Sequence, residues 1–195
     1  MQKPPAPTPF CYNLKQVKAI VLGADPSNFS DKGNRKILTK VFGIGDSDAR
    51  YFQGILKNLK EVGLGLEDIY VDNLIQHYLE FESSSFKHWE PVASENIPDC
   101  LKRLDTIDKK RRLPVLLTTE VLYKVLSNSD VIPARQFYLH PEKIPVAPAI
   151  NKLKRQLIPF YRHKDYSLMI RKWNSYRIRI INILKYCSVT EAERE

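Results

Sequence analysis

Short apolar runs alternate with longer amphipathic stretches over most of the chain. Residues 17–22, 69–74, 113–118 and 136–139 are rich in Val, Ile, Leu or Tyr and bounded by turn residues, the pattern of buried parallel strands. Between and after them, apolar residues recur at helical spacing. Tyr51, Phe52, Ile55, Leu59 and Val62 predict a helix over 50–62, stopped by Gly63 and Gly65. Ile97, Leu101, Leu104 and Ile107 predict a second over 97–107, and Val121, Leu122, Val125 and Leu126 a third over 119–126. Two more are predicted over 148–161 and 166–186, the last with Met169, Trp173, Tyr176, Ile180 and Leu184 on one face. Strands alternating with helices predict an α/β fold with right-handed crossovers: a three-layer α/β/α sandwich on a central four-stranded parallel sheet.

The ends of the chain depart from this pattern. Four prolines among residues 1–9 disfavour helix and predict an extended arm over 1–13. A single domain is expected over 14–187, followed by a polar tail over 188–195. No stretch reaches membrane-spanning length and the N-terminus has no apolar signal core, so a cytoplasmic protein with no membrane partner is expected, as a monomer. Cys11, Cys100 and Cys187 are widely spaced and read as reduced structural thiols.

Charge sharpens the picture at one place. Residues 151–186 hold ten Lys and Arg against one acid, Asp165, and so carry the whole net charge of +9. Such a segment is either a solvated helix face or a polyanion-binding patch, with nucleic acid the first candidate.

The candidate chemistry lies at strand ends, where open α/β sheets place their ligands. Asp25, in Gly23-Ala24-Asp25-Pro26-Ser27-Asn28, puts a carboxylate at the end of the first strand, as general base or as partner for a developing cation. Asn73 ends the second strand, and its amide complements an imide edge such as that of uracil; Asp72 alternates away from it. Phe42 lies in the glycine-bearing segment with Gly33, Gly43 and Gly45, where an aromatic ring can lie under a planar base. His140 ends the run 136–139, and its imidazole could donate to an oxygen that gains charge during reaction. A turn-closing Asp, a loop-bonding Asn, a core Phe and a capping His account for each residue singly. Together they fall at one edge of one sheet or in its first loop. His77, His88 and His163 show no metal-ligand spacing with His140, and no phosphate-binding glycine loop is present, so neither metal nor cofactor is expected.

These residues resemble the uracil-DNA glycosylase superfamily. Its best-known branch carries G-Q-D-P-Y-H after the first strand, a following C-F-S-V segment, L-L-L-N at the next strand and H-P-S-P-L after the last. Residues 23–28, Val41-Phe42-Gly43-Ile44, Tyr70-Val71-Asp72-Asn73 and His140-Pro141-Glu142-Lys143-Ile144 are similar, in the same order, over roughly 17–165. The resemblance implies a glycosylase-like fold and a hydrolase that cuts the N-glycosidic bond of a flipped-out uracil or related damaged base in DNA, as in base excision repair. It implies that Asp25 orients water and stabilises the cationic sugar. Phe42 would stack on the base, Asn73 and the main chain at Ala24 would read it, and His140 would stabilise charge on it. Ile144 would wedge into the duplex, and Lys143 would offset Glu142 near phosphate. Ser27 stands where that branch has a tyrosine that blocks the thymine methyl group, which would relax base selectivity; Asn28 stands for a histidine and Glu142 for a serine. Two rivals remain: a glycosylase-like module that binds nucleic acid or protein without chemistry, and a hydrolase of free nucleosides or nucleotides.

Overall fold

The computed structural model describes residues 4–27, 36–46, 50–81, 83, 86–128, 132–161 and 167–192. Four parallel strands form one sheet: β1 (Ala19–Gly23), β2 (Ile69–Asn73), β3 (Val115–Leu117) and β4 (Leu157–Pro159), in the order β2-β1-β3-β4. The helices are α1 (Arg50–Glu61), α2 (Phe86–Ile107), α3 (Glu120–Leu126), α4 (Ala134–Leu139) and α5 (Ser167–Ala192). They sort into two groups. α2 packs with α3, whereas α1 meets α5 through a bond from the Trp173 indole to Glu61. The architecture is consistent with a three-layer α/β/α sandwich. Covered on both faces, β1 is apolar throughout, and Ala19, Ile20, Val21 and Leu22 are all fully buried.

Local sequence explains most of these boundaries. α1 buries Phe52, Ile55 and Leu59 on one stripe and stops at Gly63, whose φ of 79° lets the Leu64 N–H reach the Leu59 carbonyl at 3.0 Å. α5 runs to Ala192, through much of the stretch expected as a polar tail. The extended N-terminal segment is part of the fold: Phe10 is buried and exchanges two backbone hydrogen bonds with Val71 on the open edge of β2, at 2.9 and 2.8 Å.

Two expectations are overturned. Residues 136–139 are not a strand; they belong to α4, where His140 N–H bonds to the Gln136 carbonyl at 2.9 Å. Four residues are too few for period to separate helix from strand. Phe137 and Tyr138 are buried because they pack edge-on against Tyr123 and flat against Tyr176, not because they enter the sheet. The fourth strand is β4, inside the segment expected to be helical over 148–161; only Pro148–Ile150 forms a helical turn there. Pro159 is tolerated in β4 because that strand is an edge.

Candidate active site

The carboxyl end of the sheet opens into a cavity of about 140 Å³. Its wall is built from chain leaving three strands. Ala24, Asp25, Pro26 and Ser27 follow β1, Asn73 ends β2, and Thr119 lies two residues past β3. Phe42, Leu38, Lys36 and Ser83 complete it. Asp25, Phe42, Asn73, Ala24 and Ser27, each singled out from the sequence, thus share one cavity.

Asp25 is held from two directions. Its Oδ1 accepts the Ser27 backbone N–H at 2.8 Å, and its Oδ2 accepts the Trp89 indole N–H at 2.9 Å. Burial raises its carboxyl above the ordinary carboxylate range; the Ser27 and Trp89 donors and the nearby His77 pull the other way without cancelling that penalty. The Ser27 hydroxyl is tied back to Leu79, accepting its N–H at 2.7 Å.

Asn73 is 1% exposed, and its Oδ1 has no hydrogen-bond partner among the described residues. Its backbone is clamped instead. Asp72, fully buried, accepts the Asn73 N–H at 2.8 Å and pairs with Arg103 at 3.0 Å. Arg103 also donates to the Asn73 carbonyl at 2.8 Å. The alternation that turns Asp72 away from the cavity therefore makes it the anchor of the residue that faces it. Thr119 Oγ1 is a second buried polar atom without a partner among the described residues. Buried polar atoms are normally paired, and these two, of seven such atoms among the described residues, belong to one cavity wall.

Phe42 has φ of 61° and ψ of 8°, left-handed backbone that a phenylalanine rarely adopts. Its ring stacks on Phe52, with centroids 5.8 Å apart and planes 16° from parallel. Gly23 explains how the wall closes. A Cβ there would lie 2.2 Å from Asn73 Oδ1 and 2.7 Å from two Phe42 ring carbons. Only a residue without a side chain lets both groups rest on the end of β1.

The His140 group of residues does not join them. His140 caps the C-terminus of α4, about half exposed, with Nδ1 3.1 Å from the Glu142 carboxylate, and it lines none of the described cavity. The reason is the strand misreading: this imidazole follows a helix, not the last strand. Ile144 is 0% exposed, packed in the core, and so is no surface wedge. Lys143 is exposed on the turn Pro141–Lys143 but is likewise absent from the cavity wall. Asn28, Gly33 and residues 162–166, which include His163, lie outside the described residues.

The basic segment is not one patch. Arg155 is fully buried, bonded to Asp105 and Asp108 at 3.0 and 2.7 Å. Lys185 lines a groove with Lys18 and Gly63; Lys18 immediately precedes β1, so this groove lies at the amino end of the sheet, opposite the cavity. Among the described residues, no helix is long and apolar enough to cross a membrane. Of the residues at or behind the cavity wall that were not anticipated, Thr119 had a readable signal, its place just after an apolar run. Trp89 and Lys36 had none, because they come from parts of the chain with no strand end. No protein-family model matches the chain, and no curated protein matches it.

Proposed function

We propose that this chain is a DNA glycosylase of the uracil-DNA glycosylase type, hydrolysing the N-glycosidic bond of a flipped-out uracil or related base. The observation that carries this reading is the buried Asn73 amide, its Oδ1 without a partner among the described residues, in the wall of the same small cavity as the Asp25 carboxylate and the Phe42 ring. An amide offers a donor and an acceptor side by side, the complement of an imide edge. Phe42 supplies an aromatic face, and stacking on a base is worth about 1–3 kcal/mol. Breaking the bond leaves a cationic sugar and an anionic base. Asp25 has the sign needed beside the sugar, and Asn73 Nδ2 and the Thr119 hydroxyl can donate to the base as charge builds on it.

Extruding the base costs a few kcal/mol, which lysine and arginine contacts to phosphate would offset. Lys36, on the cavity wall, is the cation placed for this among the described residues. Neither Ile144 nor His140 has a part in this version of the site. Of the two departures that favour a binding module without chemistry, Glu142 stands beside His140 rather than in the cavity, whereas Ser27 lines it.

The test is base release from single- and double-stranded oligonucleotides carrying uracil, hypoxanthine or a thymine mismatch, followed by alkaline cleavage of abasic sites. Strand breaks lost in Asp25→Asn and Asn73→Asp are expected. Salt-sensitive binding with no product on any of these substrates would instead establish the binding module, and release from free nucleosides alone the small-substrate hydrolase.

A further inference from the structure

We propose that Trp89 is a positioning residue for Asp25, its indole N–H fixing the direction in which the carboxylate presents its free lone pairs to the cavity. The inference rests on the glycosylase reading and goes beyond it, because Trp89 itself does not line the cavity. Two features carry it. First, the carboxylate is held at both oxygens by donors from different elements, Ser27 N–H in the turn after β1 and Trp89 Nε1–H in the first turn of α2, at 2.8 and 2.9 Å. Two anchors fix the plane of the group, where one would leave it free to rotate. Second, Trp89 is 0% exposed. Its ring is locked by packing, including the Phe86 ring at 6.3 Å, so the donor keeps its place when the cavity fills.

An indole is a donor only and cannot turn to accept a proton from Asp25. It therefore favours the ionised carboxylate, the form the reaction uses. The Ser27 hydroxyl also bonds to the carboxylate; the other charged or titratable groups near Asp25 among the described residues are His77, which acts through space, and Lys36, on the cavity wall. Neither is bonded to the carboxylate in the way Trp89 is. A tryptophan that only filled the core would leave the ionisation of Asp25 indifferent to its N–H, and this separates the two roles.

The experiment has two arms. In wild-type protein, the Trp89 indole N–H proton resonance, assigned by its loss in Trp89→Phe, is followed against pH. It should titrate with Asp25 and cease to titrate in Asp25→Asn. This arm needs no activity and no substitution in the protein being titrated. In the second arm, Trp89→Phe should lower kcat for uracil release about ten- to a hundredfold, as expected for a lost bond to a charged group, with KM for the oligonucleotide little changed. The acid limb of its pH–rate profile should move to higher pH. An indole resonance that ignores Asp25, or a folded Trp89→Phe protein with wild-type kcat and acid limb, overturns the proposal. Wild-type protein that releases no base while its indole still follows Asp25 leaves the positioning bond established and overturns the glycosylase reading instead.

Discussion

Gly23→Ala tests the site more sharply than removal of any of its functional groups. The added methyl would sit 2.2 Å from Asn73 Oδ1 and 2.7 Å from Phe42 Cε1 and Cζ, against ordinary contacts of about 3.5 Å or more. Both side chains must therefore retreat by roughly 1 Å. The backbone cannot yield for them, since Gly23 pairs in register with Asn73 and its carbonyl accepts the Leu74 N–H at 2.8 Å. Overpacking of this kind costs about 1–3 kcal/mol. For a chain of this size each kcal/mol lowers Tm by about 2–4 °C, so thermal unfolding should shift down by several degrees. A displacement of about 1 Å at the two groups proposed to contact the base should lower kcat/KM for uracil release about a hundredfold. Gly65→Ala is the control. Its Cβ would lie 2.5 Å from the Glu67 carboxylate, nominally as bad, but Glu67 is exposed and its flexible end can swing away. It should leave both Tm and rate near wild type. A Gly23→Ala protein that melts and cleaves like wild type would refute the idea that Asn73 and Phe42 are seated on the end of β1.

Three other outcomes are expected. Asp25→Asn should lower base release about 10²–10³-fold, as for loss of a charge-stabilising group. It should also change stability against pH: the folded carboxyl lies above its unfolded value, so between the two the native state binds the extra proton, and wild-type stability falls as pH rises through the folded value. The variant should lack that slope, checked by thermal melts across the acid range. His140→Ala should release base within about twofold of wild type, because its imidazole stands beside Glu142 and away from the cavity; a tenfold loss in the same oligonucleotide assay would contradict this. Phe10→Ala should cost about 3–5 kcal/mol by denaturant unfolding, as expected for a buried aromatic, since the arm is stitched to β2 and, through Thr8, to the backbone of Thr39 and Val41 just before Phe42.

The sequence was legible where period and punctuation agreed. β1 and β2 each end on a polar or turn residue after an uninterrupted apolar run, so Asp25 and Asn73 could be placed at strand ends and therefore side by side. Phe42 was legible because the glycine beside it signals unusual backbone, and both Phe42 and Gly43 do have positive φ. The failure at His140 has a physical source. Phe137-Tyr138-Leu139 has the composition of a strand, yet its two aromatic rings find partners on α3 and α5, and burial against helices leaves the same mark in sequence as burial in a sheet. The true last strand was hidden by its shortness and by Pro159. His163 follows that proline by four positions, in a stretch outside the described residues. Trp89 was illegible for another reason: its bond to Asp25 spans 64 residues, and no local pattern encodes a contact between a helix and a turn so far apart.

Several of the places where this chain breaks the rules of a stable fold meet at one cavity. Phe42 holds left-handed backbone, which costs about 1–3 kcal/mol. Asp25 keeps a carboxyl that burial disfavours in its charged form. Asn73 Oδ1 and Thr119 Oγ1 are buried without partners among the described residues, each at a cost of about 1–3 kcal/mol. All four line the one cavity at the carboxyl end of the sheet. Such features also occur outside it: Arg111 and Lys154 have positive φ, and Asp46, Asn151, Arg155, Tyr161 and Arg177 each bury a polar atom without a partner among the described residues. What distinguishes the cavity is convergence: four such residues surround one small space, an arrangement that is intelligible if a ligand completes it, with Asp25 beside a developing cation and the amide and hydroxyl against the edge of a base.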